Sequence, residues 1–367
     1  MGSGSGETQS KLSLMSAAVF EGLGKPLTVK DVPRPDPGPN DLVLRVGYCG
    51  ICGSDLHATQ PGALVVPEGT VLGHEFAGEV VAVGSALSGQ WQEGERVTAV
   101  PVNACDDCGN VCRYGMGIHC PNNRITGFET SVPGAYAQYV RVNAANVVRL
   151  PEGVSLEQGA TAEPLAVGHH VMDKAGMRPG SRVLVIGGGP IGLACVAFAR
   201  LAGARHAILS EYNANRRQVA AAMGATATID PAAGPVSEQY ATIAGGPPDL
   251  VIECVGIPGM LGECIELVRH QGKVMVCGVC TEPESFVPLT ALAKEACLQW
   301  ALGYEQRDFE VVLDHMASGR LDPAPMVSHV IGFDELPGRF EALRQPTDEC
   351  KVLIRPWDDG TPRAGAA

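Results

Sequence analysis

Positive charge, long apolar runs and internal repeats are all scarce in this sequence. Its 27 lysine and arginine residues are outnumbered by 40 aspartate and glutamate residues, which gives a formal net charge of −13 at pH 7. A chain this acidic is a poor partner for nucleic acid and for anionic membranes. No apolar run is long enough to span a membrane, and no signal peptide is visible.

What is present is enough chain for two domains and an unusual number of thiols. The 367 residues are 45% hydrophobic and 18% charged, which is typical of a globular protein. The 13 cysteines are an odd number without a secretion signal. We therefore expect a reducing, cytoplasmic compartment, with thiols serving as metal ligands or buried apolar groups. Residues 1–14 look like an expression leader, and we expect the natural start near Met15.

A glycine turn organises the second half of the chain. The apolar run that starts at Val183 is followed by a Gly-x-Gly-x-x-Gly pattern and then by a helix-compatible segment. Strand, turn and helix in this order form a cradle for the phosphates of a dinucleotide, although the glycine pattern alone fits any tight turn equally well. The residues expected at the cofactor here are Gly187, Gly189, Pro190, Ile191 and Gly192.

The next predicted strand ends at an acidic residue, Glu211. A carboxylate about 20 residues beyond the glycines accepts hydrogen bonds from the ribose hydroxyls and repels a 2′-phosphate, which favours NAD over NADP. Arg216 and Arg217 argue the other way, because a guanidinium turned toward a 2′-phosphate would admit NADP. The plainer interpretation of these arginines is a solvated helix face.

The two halves of the chain differ in pattern. Up to about residue 150, short β-runs bounded by turn residues predict a small barrel. Beyond Pro151, strands near 182–187, 206–211, 226–229, 249–254, 273–278 and 296–301 alternate with helices, which predicts a parallel, doubly wound α/β sheet. We expect residues 166–303 to form the dinucleotide domain, and 15–165 with 304–367 to form the other.

A first group of metal-ligating side chains is scattered over this strand-rich half. Cys52, Ser54, Asp55 and His57 lie within one short stretch, His74 and Glu75 follow, and Glu163 lies at the entry to the second half. Thiolate, imidazole and carboxylate are ligands that Zn²⁺ accepts, and a site that keeps an open position is catalytic. Taken singly, each has a plainer explanation: His74 as a core histidine, Cys49 as a buried apolar group, and Ser54 with Asp55 as a turn or helix cap.

A second group is compact. Cys105, Cys108, Cys112 and Cys120 fall within sixteen residues, which predicts a closed structural Zn²⁺ site. Four unrelated cysteines in a loop are the alternative, and a disulfide is less expected in a reducing compartment. We expect His119 to be a neighbour of this site and not a ligand.

These motifs together resemble the zinc-dependent medium-chain alcohol dehydrogenases, from about Met15 to Pro356. The stretch Glu163–Gly168 is most similar to the sorbitol and butanediol dehydrogenase branch. The resemblance implies a GroES-like β-barrel catalytic domain beside a Rossmann domain, with NAD and both a catalytic and a structural zinc. The second cysteine gap of three residues departs from the usual two, which puts occupancy of the structural site in question.

The resemblance also implies residue roles. The catalytic metal would be held by Cys52 and His74, with Glu75 as a ligand or near-ligand and Glu163 binding directly or through water. On a regular strand His74 and Glu75 would diverge, so both reach one ion only if the backbone bends there. Asp55 would orient a ligand.

The implied chemistry is hydride transfer between a secondary alcohol, diol or polyol and the nicotinamide, which gives the ketone. Ser54 would take the alcohol proton and pass it through the cofactor ribose to His57. The turns that contain Val255 and Cys277, at the carboxyl ends of later strands, would flank the nicotinamide. A homodimer or homotetramer joined through the dinucleotide domain would follow the family. The alternatives are a zinc-free quinone or enoyl reductase of the same fold and a non-catalytic binding protein.

Overall fold

The computed structural model describes residues 13–62, 64–105, 108 and 117–357. The first part of the chain forms two short helices and nine strands among these residues. In order they are β1 (Leu14–Val19), β2 (Thr28–Pro33), β3 (Asp41–Gly50), α1 (Gly53–Ala58), β4 (Glu75–Val83), β5 (Arg96–Ala99), β6 (Val102–Asn103), β7 (Arg124–Ile125), β8 (Tyr139–Asn143), β9 (Val147–Arg149) and α2 (Leu156–Ala160). These strands are short and β-branched, as the pattern predicts.

The second part alternates helices and strands. Its elements are α3 (Ala162–Ala175), β10 (Arg182–Ile186), α4 (Pro190–Leu201), β11 (His206–Ser210), α5 (Ala214–Ala222), β12 (Ala227–Ile229), α6 (Val236–Ala244), β13 (Leu250–Glu253), α7 (Met260–Leu267), β14 (Lys273–Val276), α8 (Pro288–Lys294) and β15 (Cys297–Trp300). The six strands pair in parallel in the order β12-β11-β10-β13-β14-β15. The doubly wound α/β fold is therefore confirmed, with each strand within two residues of its predicted position.

The last described segment returns to the first domain. It contains α9 (Gln306–Ala317), β16 (Val327–Ile331), α10 (Leu336–Ala342) and β17 (Lys351–Ile354). β17 pairs with β3, so the strand-rich sheet has the order β16-β17-β3-β4-β5-β9, and β8 also pairs with β3. A residue near the end of the chain can therefore lie beside the first metal group, about 300 positions earlier.

The core is divided among three clusters of buried apolar side chains. One fills the strand-rich domain around residues such as Phe76 and Phe340. A second, which includes Leu165, Leu193 and Phe309, lies between α3, α4 and α9 and connects the domains. The third covers the other face of the parallel sheet. Among the described residues, no helix has both the length and the apolar character needed to cross a membrane.

Two local structures position residues of the predicted site. The Cys52–His57 stretch, for which the sequence favours a relay over a turn or helix cap, begins a helix, α1, and caps it: the Asp55 carboxylate accepts a hydrogen bond from the Cys52 N–H at 3.1 Å. β8 starts at Tyr139, three residues after Tyr136. The backbone of Tyr136 instead bonds to Ala18 and Leu72, outside the β3–β8 ladder.

Candidate active site

α1 holds Cys52 at its amino-terminal end. Cys52 is the N-cap residue, with extended backbone angles (φ −101°, ψ 151°), and its N–H is tied to Asp55. The C-terminal end of α1 is fixed by Arg344, whose guanidinium donates to the Leu56 carbonyl at 2.7 Å and to the Thr59 hydroxyl at 2.9 Å. The Cys52 thiol is therefore held by a short helix anchored at both ends.

A bent turn delivers His74 and Glu75 to the same place. Gly73 has φ +98°, and a Cβ there would lie 2.4 Å from the Tyr136 ring. β4 begins only at Glu75, so the backbone bends where the two neighbouring side chains would otherwise diverge. One ligand atom each from Cys52, His74 and Glu75 lies within 4.8 Å of the others. A thiolate, an imidazole and a carboxylate grouped in this way suit Zn²⁺.

Asp55 orients the imidazole. It is fully buried, with one carboxylate oxygen 3.2 Å from His74 Nδ1, while the other accepts hydrogen bonds from the Tyr136 hydroxyl at 2.7 Å and from the Cys52 N–H. Burial alone would lower the pKa of His74, but the Asp55 carboxylate overrides it and holds that pKa well above its ordinary value. A carboxylate on the far ring nitrogen turns Nε2 toward the metal position.

Glu75 forms a buried ion pair that the sequence analysis did not predict. Lys351 Nζ donates to both carboxylate oxygens, at 2.7 and 2.6 Å, and to the Ile51 carbonyl at 3.0 Å. Both side chains are almost fully buried. Glu75 therefore lies close enough to be a near-ligand, but its carboxylate is engaged by the lysine. Nothing in the sequence marks Lys351, because it is an ordinary-looking lysine at the start of the final strand.

Glu163 completes the wall of this site from α3. Burial, opposed by His74 and reinforced by Glu75, raises the pKa of Glu163 to about 7. The Tyr304 hydroxyl hydrogen-bonds to Glu163, and burial together with that carboxylate raises the pKa of Tyr304 well above its usual value. A carboxyl group that titrates near neutrality beside a metal position can bind metal or water as a carboxylate and can also carry a proton.

The two predicted relay residues lie on α1, three positions apart. Ser54 Oγ is 3.4 Å from His74 Nε2, and His57 is exposed at the other end of the helix. Residues at this spacing share one helix face. The structure thus has a hydroxyl at the metal position and an imidazole at the surface on one short element.

The structure describes three of the four cysteines in the compact group. Sulfurs of Cys105, Cys108 and Cys120 lie within 4.8 Å of one another, which suits a tetrahedral thiolate site. Cys112 lies outside the described residues. His119 is exposed.

The glycine turn has the predicted strand–turn–helix geometry. Gly187 adopts φ +99°, Gly189 caps α4, and Pro190 is its first residue. A Cβ on Gly192 would lie 1.9 Å from the Gly187 carbonyl, so only glycine permits this close packing. Nothing lies within 4 Å of the corresponding position on Gly189, which leaves its backbone open to a ligand.

Glu211 lies directly beside this turn. Its carboxylate accepts hydrogen bonds from the Gly188 N–H at 2.7 Å and from the Asn213 N–H at 2.8 Å. The two arginines are engaged elsewhere: Arg216 donates to the Glu349 carbonyl, and Arg217 pairs with Asp230 at 3.0 Å and bonds to backbone carbonyls. Neither is a simple solvated side chain.

The later turns meet at the carboxyl edge of the parallel sheet. The Glu253 carboxylate accepts hydrogen bonds from the Val255 and Gly256 N–H groups at 2.6 and 2.8 Å. A Cβ on Gly256 would lie 2.6 Å from the Val279 nitrogen, so the turn after β13 touches the turn after β14. The carboxyl edge of such a sheet is where ligands bind.

The fold and these sites define a class: a dehydrogenase that pairs a thiolate–imidazole metal site on a strand-rich domain with a dinucleotide-binding domain. Comparison with known proteins narrows the class. Residues 38–152 match the alcohol dehydrogenase GroES-like domain, and residues 190–318 match the zinc-binding dehydrogenase family. Sorbitol dehydrogenase of Gallus gallus is 31% identical over 338 residues, which is 90% of this chain and 93% of that protein.

Solved structures agree with this assignment. A protein classed as a zinc-binding dehydrogenase from Sinorhizobium meliloti 1021, bound to NADP, is 36% identical with a TM-score of 0.87, covering 94% of this chain and all of the other. The 2R,3R-butanediol dehydrogenase of Bacillus subtilis is 28% identical with a TM-score of 0.85 over the same shares of the two chains. The chain belongs to the zinc-dependent medium-chain alcohol dehydrogenase family, in its sorbitol dehydrogenase-like branch. It is an oxidoreductase whose cofactors are Zn²⁺ and a nicotinamide dinucleotide.

Proposed function

We propose that this enzyme oxidises a secondary alcohol of a polyol or vicinal diol to the ketone, with NAD as the hydride acceptor. The observation that carries the proposal is the grouping of Cys52, His74 and Glu75 around one metal position, with Glu163 on a third element near enough to interact with the charges of His74 and Glu75. The names of the relatives, sorbitol and butanediol dehydrogenases, support the substrate class.

Each residue of the site has a separate role in this proposal. Cys52 and His74 would hold the catalytic zinc, and Glu163 would bind it directly or through water. Lewis-acid polarisation of the alcohol oxygen is the chemistry that Zn²⁺ would supply when held there. Ser54 Oγ would accept the alcohol proton as it gives up its own, and the exposed His57 would release a proton to solvent. Asp55 keeps the imidazole oriented, and Lys351 holds the Glu75 carboxylate in place.

Replacing one thiol tests the metal-dependent chemistry. Cys52→Ser should lose nearly all turnover and one equivalent of zinc while NADH still binds, because the dinucleotide domain is untouched. Cys49→Ala is the matched control: Cys49 is fully buried three residues away, its sulfur contacts the Gly50 carbonyl and the Glu75 backbone, and it does not belong to the group of ligand atoms formed by Cys52, His74 and Glu75, so zinc content should not change. Zinc analysis, NADH fluorescence titration and assays with polyols and diols give the readouts. Turnover by metal-free Cys52→Ser would contradict the proposal.

Glu211 supports NAD as the cofactor. Its carboxylate is held beside the glycine turn by two backbone N–H groups, where it would face the ribose hydroxyls and oppose a 2′-phosphate. The guanidiniums that could reverse this preference already have protein partners. The NADP bound to the Sinorhizobium protein is the observation that favours NADP instead.

We also propose a cytoplasmic homo-oligomer, dimeric or tetrameric, joined through the dinucleotide domain. β15 is the end strand of the parallel sheet. Its Trp300 is 62% exposed, and Leu302 nearby and Leu289 and Leu292 on the preceding helix are also exposed. An unpaired strand edge bordered by large apolar side chains is a surface that a second copy would cover. Sedimentation velocity should show a dimer or tetramer that Trp300→Lys dissociates; a monomeric wild type would contradict this.

A further inference from the structure

Three thiols meet at the carboxyl edge of the parallel sheet, apart from both zinc sites. Cys254 follows β13, Cys277 follows β14, and Cys195 lies on α4. Their sulfurs lie within 4.8 Å of one another. The proposed function uses the backbone of the two turns and gives these sulfurs no role.

The geometry of Cys254 and Cys277 suits a covalent bond. Glu253 pairs with Val276 in the parallel ladder, so the two cysteines are the next pair of neighbours. Adjacent strands lie about 4.8 Å apart, within the range of about 4.4–6.8 Å that a disulfide requires between Cα atoms. The two sulfurs are already 3.3 Å apart. Small side-chain rotations would close this separation to the bond length of about 2.05 Å.

Access and chemistry distinguish the three thiols. Cys195 is fully buried, whereas Cys254 and Cys277 are each partly exposed. Hydrogen bonds from Cys195, together with burial, raise the pKa of Cys254 and of Cys277 well above the ordinary value, so peroxide should oxidise this pair faster as pH rises.

We propose that Cys254 and Cys277 form a reversible disulfide when a peroxide oxidises the protein. One thiolate attacks a peroxide oxygen, the O–O bond breaks, and the sulfur becomes a sulfenic acid with release of water. The second thiol then attacks that sulfur and releases a second water. In total the two thiols lose two electrons and two protons, and one hydrogen peroxide is reduced to two waters.

A bound soft metal ion is the other use for three thiols. Three thiolates around a divalent ion would leave a net negative charge, and Cys195 is buried among apolar side chains. Burying an uncompensated charge there is costly, whereas a disulfide is neutral. The observations therefore favour the covalent bond.

The disulfide would act on the cofactor site. It links the turn held by Glu253 to the turn after β14, and these turns already touch at Gly256 and Val279. Fixing them together restricts the space at the carboxyl edge of the sheet, so NADH should bind several-fold more weakly. This consequence rests on the proposed function, but formation of the disulfide does not.

Peptide mapping tests the bond itself. The zinc-loaded full-length protein is treated with hydrogen peroxide, alkylated, cut with trypsin without reductant and analysed by mass spectrometry. Cys254 lies on the tryptic peptide 218–269 and Cys277 on 274–294, while Cys195 lies on 183–200. We expect a linked pair of the first two peptides, two hydrogens lighter than their sum, that separates on reduction.

Two matched pairs of variants assign the sulfurs, because Cys264 and Cys280 share those peptides. Cys254→Ser and Cys277→Ser should each abolish the link, whereas Cys264→Ser and Cys280→Ser should each retain it. The proposal is overturned if all thiols remain available for alkylation, if the link persists in Cys277→Ser, or if 183–200 is the linked peptide.

NADH titration of the reduced and oxidised protein tests the consequence. Several-fold weaker binding that recovers with a reductant supports it, and equal affinity with the disulfide mapped refutes the effect on the cofactor. Failure of the reduced protein to bind NADH would refute the proposed function and leave the peptide map valid.

Discussion

Removing the Lys351 ammonium should destabilise the protein strongly, because it leaves the Glu75 carboxylate buried without a counter-charge. Lys351 is 2% exposed and Glu75 is not exposed at all, and the ammonium also bonds to the Ile51 carbonyl. Breaking a buried pair by removing one partner costs about 3–5 kcal/mol. Lys351→Met keeps most of the side-chain volume, so the loss reports the charge and its hydrogen bonds.

Urea unfolding of the metal-free protein measures this cost, and the double variant Lys351→Met/Glu75→Gln is the control. Removing both charges should recover most of the lost stability, because no unpaired ion remains. A cost in Lys351→Met below about 1 kcal/mol, or an equal cost in the double variant, would refute the argument.

The pH dependence of this stability follows from the same Lys351–Glu75 pair. Burial alone would lower the pKa of Lys351, but the Glu75 carboxylate raises it above its usual value. A lysine whose pKa is raised on folding contributes its full stability below the unfolded pKa of about 10.4 and loses it as pH rises through the folded pKa. The contribution of the ammonium should therefore be undiminished at pH 9, so Lys351→Met should cost at least as much stability at pH 9 as at pH 7.

Two further predictions concern carboxylates. Glu211→Ser should admit NADP while NAD binds more weakly, measured as the ratio of kcat/KM for the two cofactors; a wild type that already prefers NADP would show that this carboxylate is misinterpreted. Burial and neighbouring charges raise the pKa of Glu163 to about 7 from an unfolded value of 4.5, so the metal-free wild type should lose stability relative to Glu163→Gln as pH rises between these values. The relative loss should reach about 3 kcal/mol in urea unfolding by pH 8, and a constant difference between the two proteins from pH 5 to 8 would count against the buried carboxyl.

The sequence was sufficient to predict the elements of the dinucleotide domain because the signals for them are local. Each strand of a parallel sheet buried on both faces is a short apolar run, and each helix has its own periodicity. Gly187 and Gly192 are required by the turn itself, one by its positive φ and the other by the carbonyl beside it. No contact with a distant residue is needed to recognise them.

The metal site is only partly local. Cys52, Ser54 and His57 could be singled out because they share one short segment, but the bend at Gly73 that lets both His74 and Glu75 approach the thiol is a property of the folded backbone.

Sequence alone determined the alternation of elements, the glycine turn and the kinds of side chain available to a metal, since these depend on neighbours along the chain. Only the tertiary structure decided that Lys351 pairs with Glu75, that Tyr304 bonds to Glu163 and that Cys195 meets two later cysteines. The physical reason is that strand pairing and helix packing bring together residues up to about 300 positions apart, and no periodicity or spacing records which of them will meet.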